Sequence, residues 1–272
     1  MDGRDGGRLS ARLQTILSLV PECGTAADIG CDHGLLSIEL IQSGRAERVI
    51  ASDLRKGPLM RAEKNIRAAG LSDRICIRMG DGLKALSPGE AETVIIAGMG
   101  GPLLEKILTE GGDVLKEVRT LILSPHTEIP AVRRFLEKTA FRITEEKITK
   151  DAGKYYFVLK AENEEFRQES SFQAAADQKG AEKKPNGSPE LLHHFGLLLF
   201  SEDPLFREWL LSEKRKTEVL LAKLNRRLQE ETKEGNAGAE DTEDTPLREA
   251  IRKADASLSL ILRAVSIIER KL

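Results

Sequence analysis

Asp28, Asp32 and His33 are interleaved with Gly30 and Gly34 in the run Ala26-Ala-Asp-Ile-Gly-Cys-Asp-His-Gly34. An apolar run precedes this stretch and an amphipathic one follows it, which reads as strand, tight turn and helix. Asp28 then stands at the carboxyl end of a strand and Gly30 where the backbone must turn sharply. Gly34 lets the next helix begin close to a ligand. In open α/β sheets ligands bind beyond the carboxyl ends of the strands, so the run is a candidate nucleotide site. Its spacing, Asp-x-Gly-x-x-x-Gly, is not the Gly-x-Gly-x-x-Gly of a pyrophosphate loop. Asp32 occupies a place where a phosphate would be repelled and a cationic amino or sulfonium group tolerated. The cofactor this predicts is S-adenosyl-L-methionine (SAM).

Further groups fall in register with that turn. Asp53 ends the apolar run Arg48-Val-Ile-Ala-Ser-Asp53, about 20 residues on, where a carboxylate takes both hydroxyl protons of a ribose. The plainer alternative is a helix cap. Asp81, in Gly80-Asp-Gly82, is placed to accept an exocyclic amino proton of adenine, and Gly82 permits close backbone approach. An ordinary Asp-Gly turn is the alternative. Ala97-Gly-Met-Gly-Gly101 offers backbone groups from Gly98, Met99 and Gly100 to the methionine moiety or to a target base. Enzymes that methylate amino groups often carry Asn- or Asp-Pro-Pro-aromatic there. This chain does not, so a ring nitrogen with its own lone pair suits it better as nucleophile.

The catalytic candidates are Asp32 as a base, Met99 in the glycine loop, and His126 in Ser124-Pro-His126 as a substrate contact. His33 is a candidate to stack on or hydrogen-bond the cofactor; helix-start capping is the alternative for Asp32 and His33. Arg8 and Arg12 lie one turn apart, off the apolar face of the first helix, and Arg133 and Arg134 open a later one. All four read as phosphate contacts or as solvated surface. His193 and His194 lack partners at metal-ligand spacing, and no metal is expected.

The elements that must position these groups alternate along the chain. Strands are predicted at 25–30, 47–52, 74–79, 92–97, 119–124, 141–149 and 154–160, and helices at 8–19, 34–43, 56–69, 101–109 and 129–138. This alternation implies βαβ units and a mainly parallel sheet, with the last two strands forming a hairpin through Lys150-Asp-Ala-Gly153. Seven strands ending in an antiparallel hairpin make a Rossmann-like, class I methyltransferase sheet, an α/β fold. Residues 1–161 form this SAM-binding domain. Residues 162–189 turn to Glu, Gln, Ser, Lys and Gly and read as a polar linker or insertion. Residues 190–272 carry two long helical patterns around an acidic loop near 235–245. The first uses Phe206, Trp209, Leu210, Val219, Leu220, Leu224 and Leu228; the second uses Ile251, Ala254, Leu258, Ile261, Leu262, Val265 and Ile268. They predict a coiled-coil-like helical hairpin.

Composition excludes little but excludes it clearly. A net charge of −2 over 272 residues carries no global nucleic-acid signature. Three cysteines at unrelated spacings argue against a disulfide framework or zinc ribbon; Cys76, in an apolar alternation, reads as core. Without a signal peptide or a run of membrane-spanning length, the expected compartment is the cytoplasm, with no membrane partner.

With these motifs assembled, the chain resembles the bacterial tRNA (adenine-N1)-methyltransferases that modify adenine 22 in the D-loop region. The resemblance is carried by Leu9-Ser-Ala-Arg-Leu13, Ala27–Gly34, Ala51-Ser-Asp53, Gly80-Asp-Gly82, Ala97–Gly101 and the segment from Phe195 to Lys214. Ser124-Pro-His126 departs from the family, which often shows Gln-Pro-Asn. The resemblance implies attack of adenine N1 on the sulfonium methyl, a tRNA partner, and RNA surface supplied by the helical hairpin. The chain is read as a monomer, with a dimer left open. Competing readings are a methyltransferase of another RNA or of a small molecule, a nicotinamide oxidoreductase, and a non-catalytic RNA-binding scaffold.

Overall fold

A computed structural model describes residues 4–5, 8–166, 188–234 and 245–270. The chain divides into two compact units, residues 1–186 and 187–272.

The first unit opens, after a two-residue ladder of Arg4–Asp5 with Arg8–Leu9, on α1 (Ala11–Leu19). Ser10 caps α1 by accepting from the Leu13 N–H at 3.4 Å, so the helix begins three residues later than its apolar spacing suggests. There follow β1 (Cys23–Ile29), α2 (Leu35–Gln42), β2 (Ala46–Asp53), α3 (Lys56–Ala68) and β3 (Ile75–Met79). A short 3₁₀ turn, Gly82–Ala85, leads to β4 (Thr93–Ala97), α4 (Gly101–Glu110), α5 (Gly112–Leu115) and β5 (Thr120–Ser124). The unit closes with α6 (Ile129–Leu136), β6 (Phe141–Asp151) and β7 (Lys154–Asn163).

The seven strands form one sheet in the order β3-β2-β1-β4-β5-β7-β6. β1 pairs in parallel with β2 and β4, and β4 with β5; β7 runs antiparallel to β5 and to β6. Helices on both faces bury the central strands completely, which is why β4 and β5 read as unbroken apolar runs instead of alternating ones. Val94, Ile95, Ile96, Leu121, Ile122 and Leu123 are all fully buried. The β6–β7 turn is the pair Ala152-Gly153, both with positive φ (46° and 78°), the backbone a two-residue hairpin demands. β7 runs three residues past the predicted end. Asn163 secures that end by donating from its backbone N–H to Arg119 O (2.9 Å) and from Nδ2 to Val118 O (3.2 Å).

Two expectations for this unit are corrected. Cys76 is exposed, not core, because β3 is the sheet's outer strand and its alternate side chains face water. Arg133 is neither solvated nor free for phosphate: it is 3% exposed and donates from Nε to Glu146 Oε1 at 2.8 Å, tying α6 to β6.

In the second unit the first helical pattern is broken. α7 (Pro189–Phe195) and a 3₁₀ turn (Gly196–Phe200) precede α8 (Pro204–Glu234). Gly196 has φ 65°, and Asp203 Oδ1 caps the restart by accepting from Leu205 N (2.8 Å) and Phe206 N (3.3 Å). Phe195, Phe206 and Trp209 cluster around this break, with Phe206 stacked on Trp209 at 5.5 Å. α9 (Pro246–Glu269), capped by Thr245, packs along α8. The seam of α8 runs through Leu210, Thr217, Leu221, Leu224 and Leu228, and that of α9 through Ala254, Ile261, Ala264 and Ile268. This is the three-four spacing of coiled-coil packing. Val219 and Leu220, assigned to the stripe from sequence, fall off it and are 55% and 48% exposed; Leu262 is exposed likewise. The greater part of the segment 162–189 and all but the last residue of the loop 235–245 lie outside the described residues.

Candidate active site

The carboxyl ends of β1 to β5 converge on a cleft of about 1080 Å³. It opens where β1 lies between β2 and β4, the point at which the strand order reverses and an open α/β sheet offers a crevice.

The β1 turn forms one wall. Gly30 has φ 78°, a left-handed backbone that favours glycine, and the terminal methyl of Met99 packs into the space a Cβ would take. The N–H groups of Gly30 and Cys31 are both held by Ser52 O, at 2.8 and 2.9 Å. Asp32 also has positive φ (47°), and its exposed carboxylate lies 3.5 Å from Arg61 Nη2 and 3.7 Å from His33 Nε2. It does not cap α2; that position belongs to Gly34. Gly34 (φ 69°) is the one sequence-derived site residue outside the cleft lining: a Cβ there would meet Ala62 Cβ at 3.1 Å, so it serves the packing of α2 on α3. Burial pushes the Cys31 thiol well up, leaving it protonated and inert at neutral pH.

Asp28 and Asp53 stand at the ends of neighbouring strands, 4% and 6% exposed, and both line the cleft. Asp28 accepts from Ser37 Oγ at 2.6 Å, yet burial dominates and pushes its pKa up to about 6, with the nearby Asp53 adding to the rise. Asp53 Oδ1 accepts the Arg55 N–H at 2.9 Å and does not cap α3, whose cap position is Arg55. Among the described residues Oδ2 has no protein partner. Asp81 is exposed at the cleft, while Gly82 (φ 57°) packs so tightly that a Cβ would stand 2.9 Å from Ile107 Cγ2.

The loops after β4 and β5 are stitched together. Gly98 N–H donates to Ser124 O (3.1 Å), His126 N–H to Met99 O (2.8 Å) and Gly101 N–H to Thr127 O (3.2 Å). A Cβ on Gly100 would come within 3.2 Å of Thr127 Oγ1. Gly98, Met99, Gly100 and His126 therefore line one side of the cleft together. His126 lies 5.6 Å from the Tyr156 ring, and its pKa is held below the ordinary histidine value, first by burial and then by Arg12 and Lys154. It is neutral at physiological pH.

Sequence reasoning found only part of the third wall. Arg12, read from its spacing as a phosphate contact or as solvated surface, reaches from α1 into the cleft beside Tyr156 and Asp151 of the β6–β7 hairpin. Tyr156 and Asp151 gave no signal at all, because only the antiparallel return of β7 beside β5 brings the hairpin turn to the strand ends. Arg12 did carry one: it lies inside the motif Leu9-Ser-Ala-Arg-Leu13.

The cleft thus joins a carboxylate-lined half to a half with no side-chain acceptor in the β4 loop. A model of the methyltransferase domain matches residues 9–159. The chain belongs to that methyltransferase family. Over 155 residues it is 38% identical to the tRNA (adenine(22)-N(1))-methyltransferase of Bacillus subtilis, an alignment that covers 57% of this chain and 65% of that protein. The crystal structure of the B. subtilis m1A22 tRNA methyltransferase TrmK aligns over 95% of this chain and 99% of that one, with a TM-score of 0.75 and 26% identity. A Streptococcus pneumoniae protein solved in complex with S-adenosyl-L-methionine aligns over 92% of this chain and all of that one, at a TM-score of 0.65 and 28% identity. The methyltransferase fold and the seven-stranded sheet with helical C-terminal region are accordingly as expected from sequence. Among the described residues no His, Cys, Asp and Glu cluster could hold a metal ion, and no helix is long and apolar enough to cross a membrane.

Proposed function

We propose that the protein is a SAM-dependent methyltransferase that modifies N1 of an adenine in tRNA, with adenine 22 the target. The observation that carries the reading is the polarity of one cleft: Asp28, Asp32, Asp53 and Asp81 on the cofactor side, and only glycine backbone and Met99 at the β4 loop. The carboxylates suit a cationic ligand that also bears ribose hydroxyls and an adenine amino group. The free oxygen of Asp53 accepts from the ribose, Asp81 accepts from the adenine amine, and the exposed side chains of Leu54 and Leu103 flank the adenine faces. Asp32 and His33 lie at the mouth, with Asp32 toward the ammonium group.

When bound, SAM supplies a methyl group already activated by the sulfonium charge. Little nucleophile activation is then required of the protein, and positioning supplies most of the rate. Gly98, Met99 and Gly100 hold the acceptor in line through backbone groups, while Met99, packed over Gly30, closes the floor beneath the reacting atoms. Neutral His126 contacts the incoming base. Asp32 is the candidate base for an amino proton of the charged product, a step that water can also perform. N1 lies on the pairing edge of adenine, so the target base must be unstacked to enter.

The names of the relatives support the tRNA substrate, and the second unit supports it by offering long charged helices that the small catalytic unit lacks. Thermal shift with SAM against NADH tests the cofactor, and methyl transfer to unmodified tRNA tests the acceptor. Stabilisation by NADH alone, or turnover of a small molecule with no RNA methylation, would overturn the reading.

A further inference from the structure

The half of the cleft facing away from Asp28, Asp32, Asp53 and Asp81 contains a cation that, among the described residues, makes no ion pair. The Arg12 guanidinium lies 5.0 Å from the Tyr156 ring centroid. On its other side it presses on the β4 loop so closely that a Cβ on Gly98 would stand 3.2 Å from Nη2. Its Nε is buried without a hydrogen-bond partner. Among the described residues no carboxylate is within ion-pairing distance; Asp151 acts only at longer range. Burying a charged donor unpaired is costly, so the arrangement suits an anion that arrives with a ligand. Tyr156 fixes the guanidinium through its π face, which orients the charge without neutralising it. Lys154 lies close enough to act on neighbouring His126, so Arg12 and Lys154 bring two cations to this rim against the one carboxylate of Asp151.

SAM brings one anion of its own, the α-carboxylate of its methionine moiety, and a nucleotide brings another, the backbone phosphodiester it carries with its base. Arg12 does not suit the edge of the reacting ring, because methylation makes that ring cationic and a fixed positive charge would oppose it. The phosphodiester is favoured because Arg12 shares its side of the cleft with Tyr156 and His126, the side given above to the incoming base. We propose that Arg12, braced on Tyr156, grips the phosphodiester of the target nucleotide once its base has entered the cleft. The inference rests on the tRNA reading above and adds the residue that positions the acceptor.

The test compares full-length wild type, Arg12→Gln and Arg12→Lys. It measures tRNA affinity across a range of KCl concentrations and SAM affinity by calorimetry. Arg12→Gln should weaken tRNA binding about 10-fold, reduce the slope of log affinity against log salt by about 1, and leave SAM affinity unchanged. Arg12→Lys should keep the wild-type slope. Loss of affinity at an unchanged slope would mean a neutral base contact and overturn the proposal. So would wild-type binding by Arg12→Gln, a loss of SAM affinity at an unchanged melting temperature, which would give Arg12 to the cofactor carboxylate, or a parallel loss of SAM affinity and melting temperature, which would make Arg12 a structural brace. If wild type itself neither binds nor methylates unmodified tRNA, the tRNA reading falls and this inference falls with it.

Discussion

Asp28 shows how a single side chain couples the cofactor site to the stability of the fold. Its carboxyl is raised from 3.8 to about 6, so the folded chain favours the proton. The stabilisation from that proton is complete below about 3.8 and is lost as pH rises through about 6. Asp28→Asn keeps an oxygen for Ser37 Oγ and should escape the loss. In melts without cofactor, its advantage over wild type should grow as pH rises from about 4 to 7, toward about 3 kcal/mol. A gap that does not vary with pH would contradict this. At Asp53 the expected outcome is different. Asp53→Ala should lower SAM affinity at least 10-fold in calorimetry while leaving the melt cooperative, since it removes a charged acceptor of hydrogen bonds; unchanged affinity would refute the site assignment. Asp53 and Asp81 could be placed from sequence because Asp53 ends an apolar run at a fixed distance from the glycine turn and Asp81 follows the next strand between two glycines. Arg12 could be named as a candidate but not placed, since nothing in its helix shows which groove its polar face covers, and Tyr156 looked like any strand residue.

At the scale of elements, two contacts fix the geometry around the cleft. Gly82 combines φ 57° with Ile107 Cγ2 2.9 Å from any added Cβ. Gly82→Ala should therefore cost about 2 kcal/mol in urea unfolding and weaken SAM binding with it. The buried pair of Arg133 with Glu146 ties α6 to β6. Glu146→Ala leaves that arginine buried without its carboxylate and should cost about 3 kcal/mol, whereas Arg133→Met combined with Glu146→Leu should recover most of the loss. Equal losses in the single and double variants would contradict the account. The strands were legible because burial on both faces makes them continuous apolar runs. Their ends were not, because the Asn163 hydrogen bonds that extend β7 are long-range. The break at Gly196–Asp203 was hidden for a related reason: apolar residues continue through it, and only the positive φ at Gly196 and the Asp203 cap end one helix and start the next. The seam of α8 was misread at Val219 and Leu220, which a strict three-four count from Leu210 through Leu221 would have left outside.

For the molecule as a whole, a division of labour between the two units is the expectation. The residues that line the cleft all belong to the first unit. A chain ending at residue 186 should keep SAM affinity within about 2-fold by calorimetry and lose at least 10-fold in tRNA affinity, given the phosphate dependence of such binding. Full tRNA affinity in the shortened chain would remove the helical unit as an RNA platform. With a net charge of only −2, binding of a polyanion has to come from the local arrangement of basic groups, which no composition reveals. The most direct test of the central claim is to incubate the protein with methyl-labelled SAM and unmodified total tRNA, digest the RNA, and map the labelled nucleoside. The account predicts label in 1-methyladenosine at position 22 of the substrate tRNAs; label in another nucleoside, or in no RNA at all while SAM is bound, would contradict it.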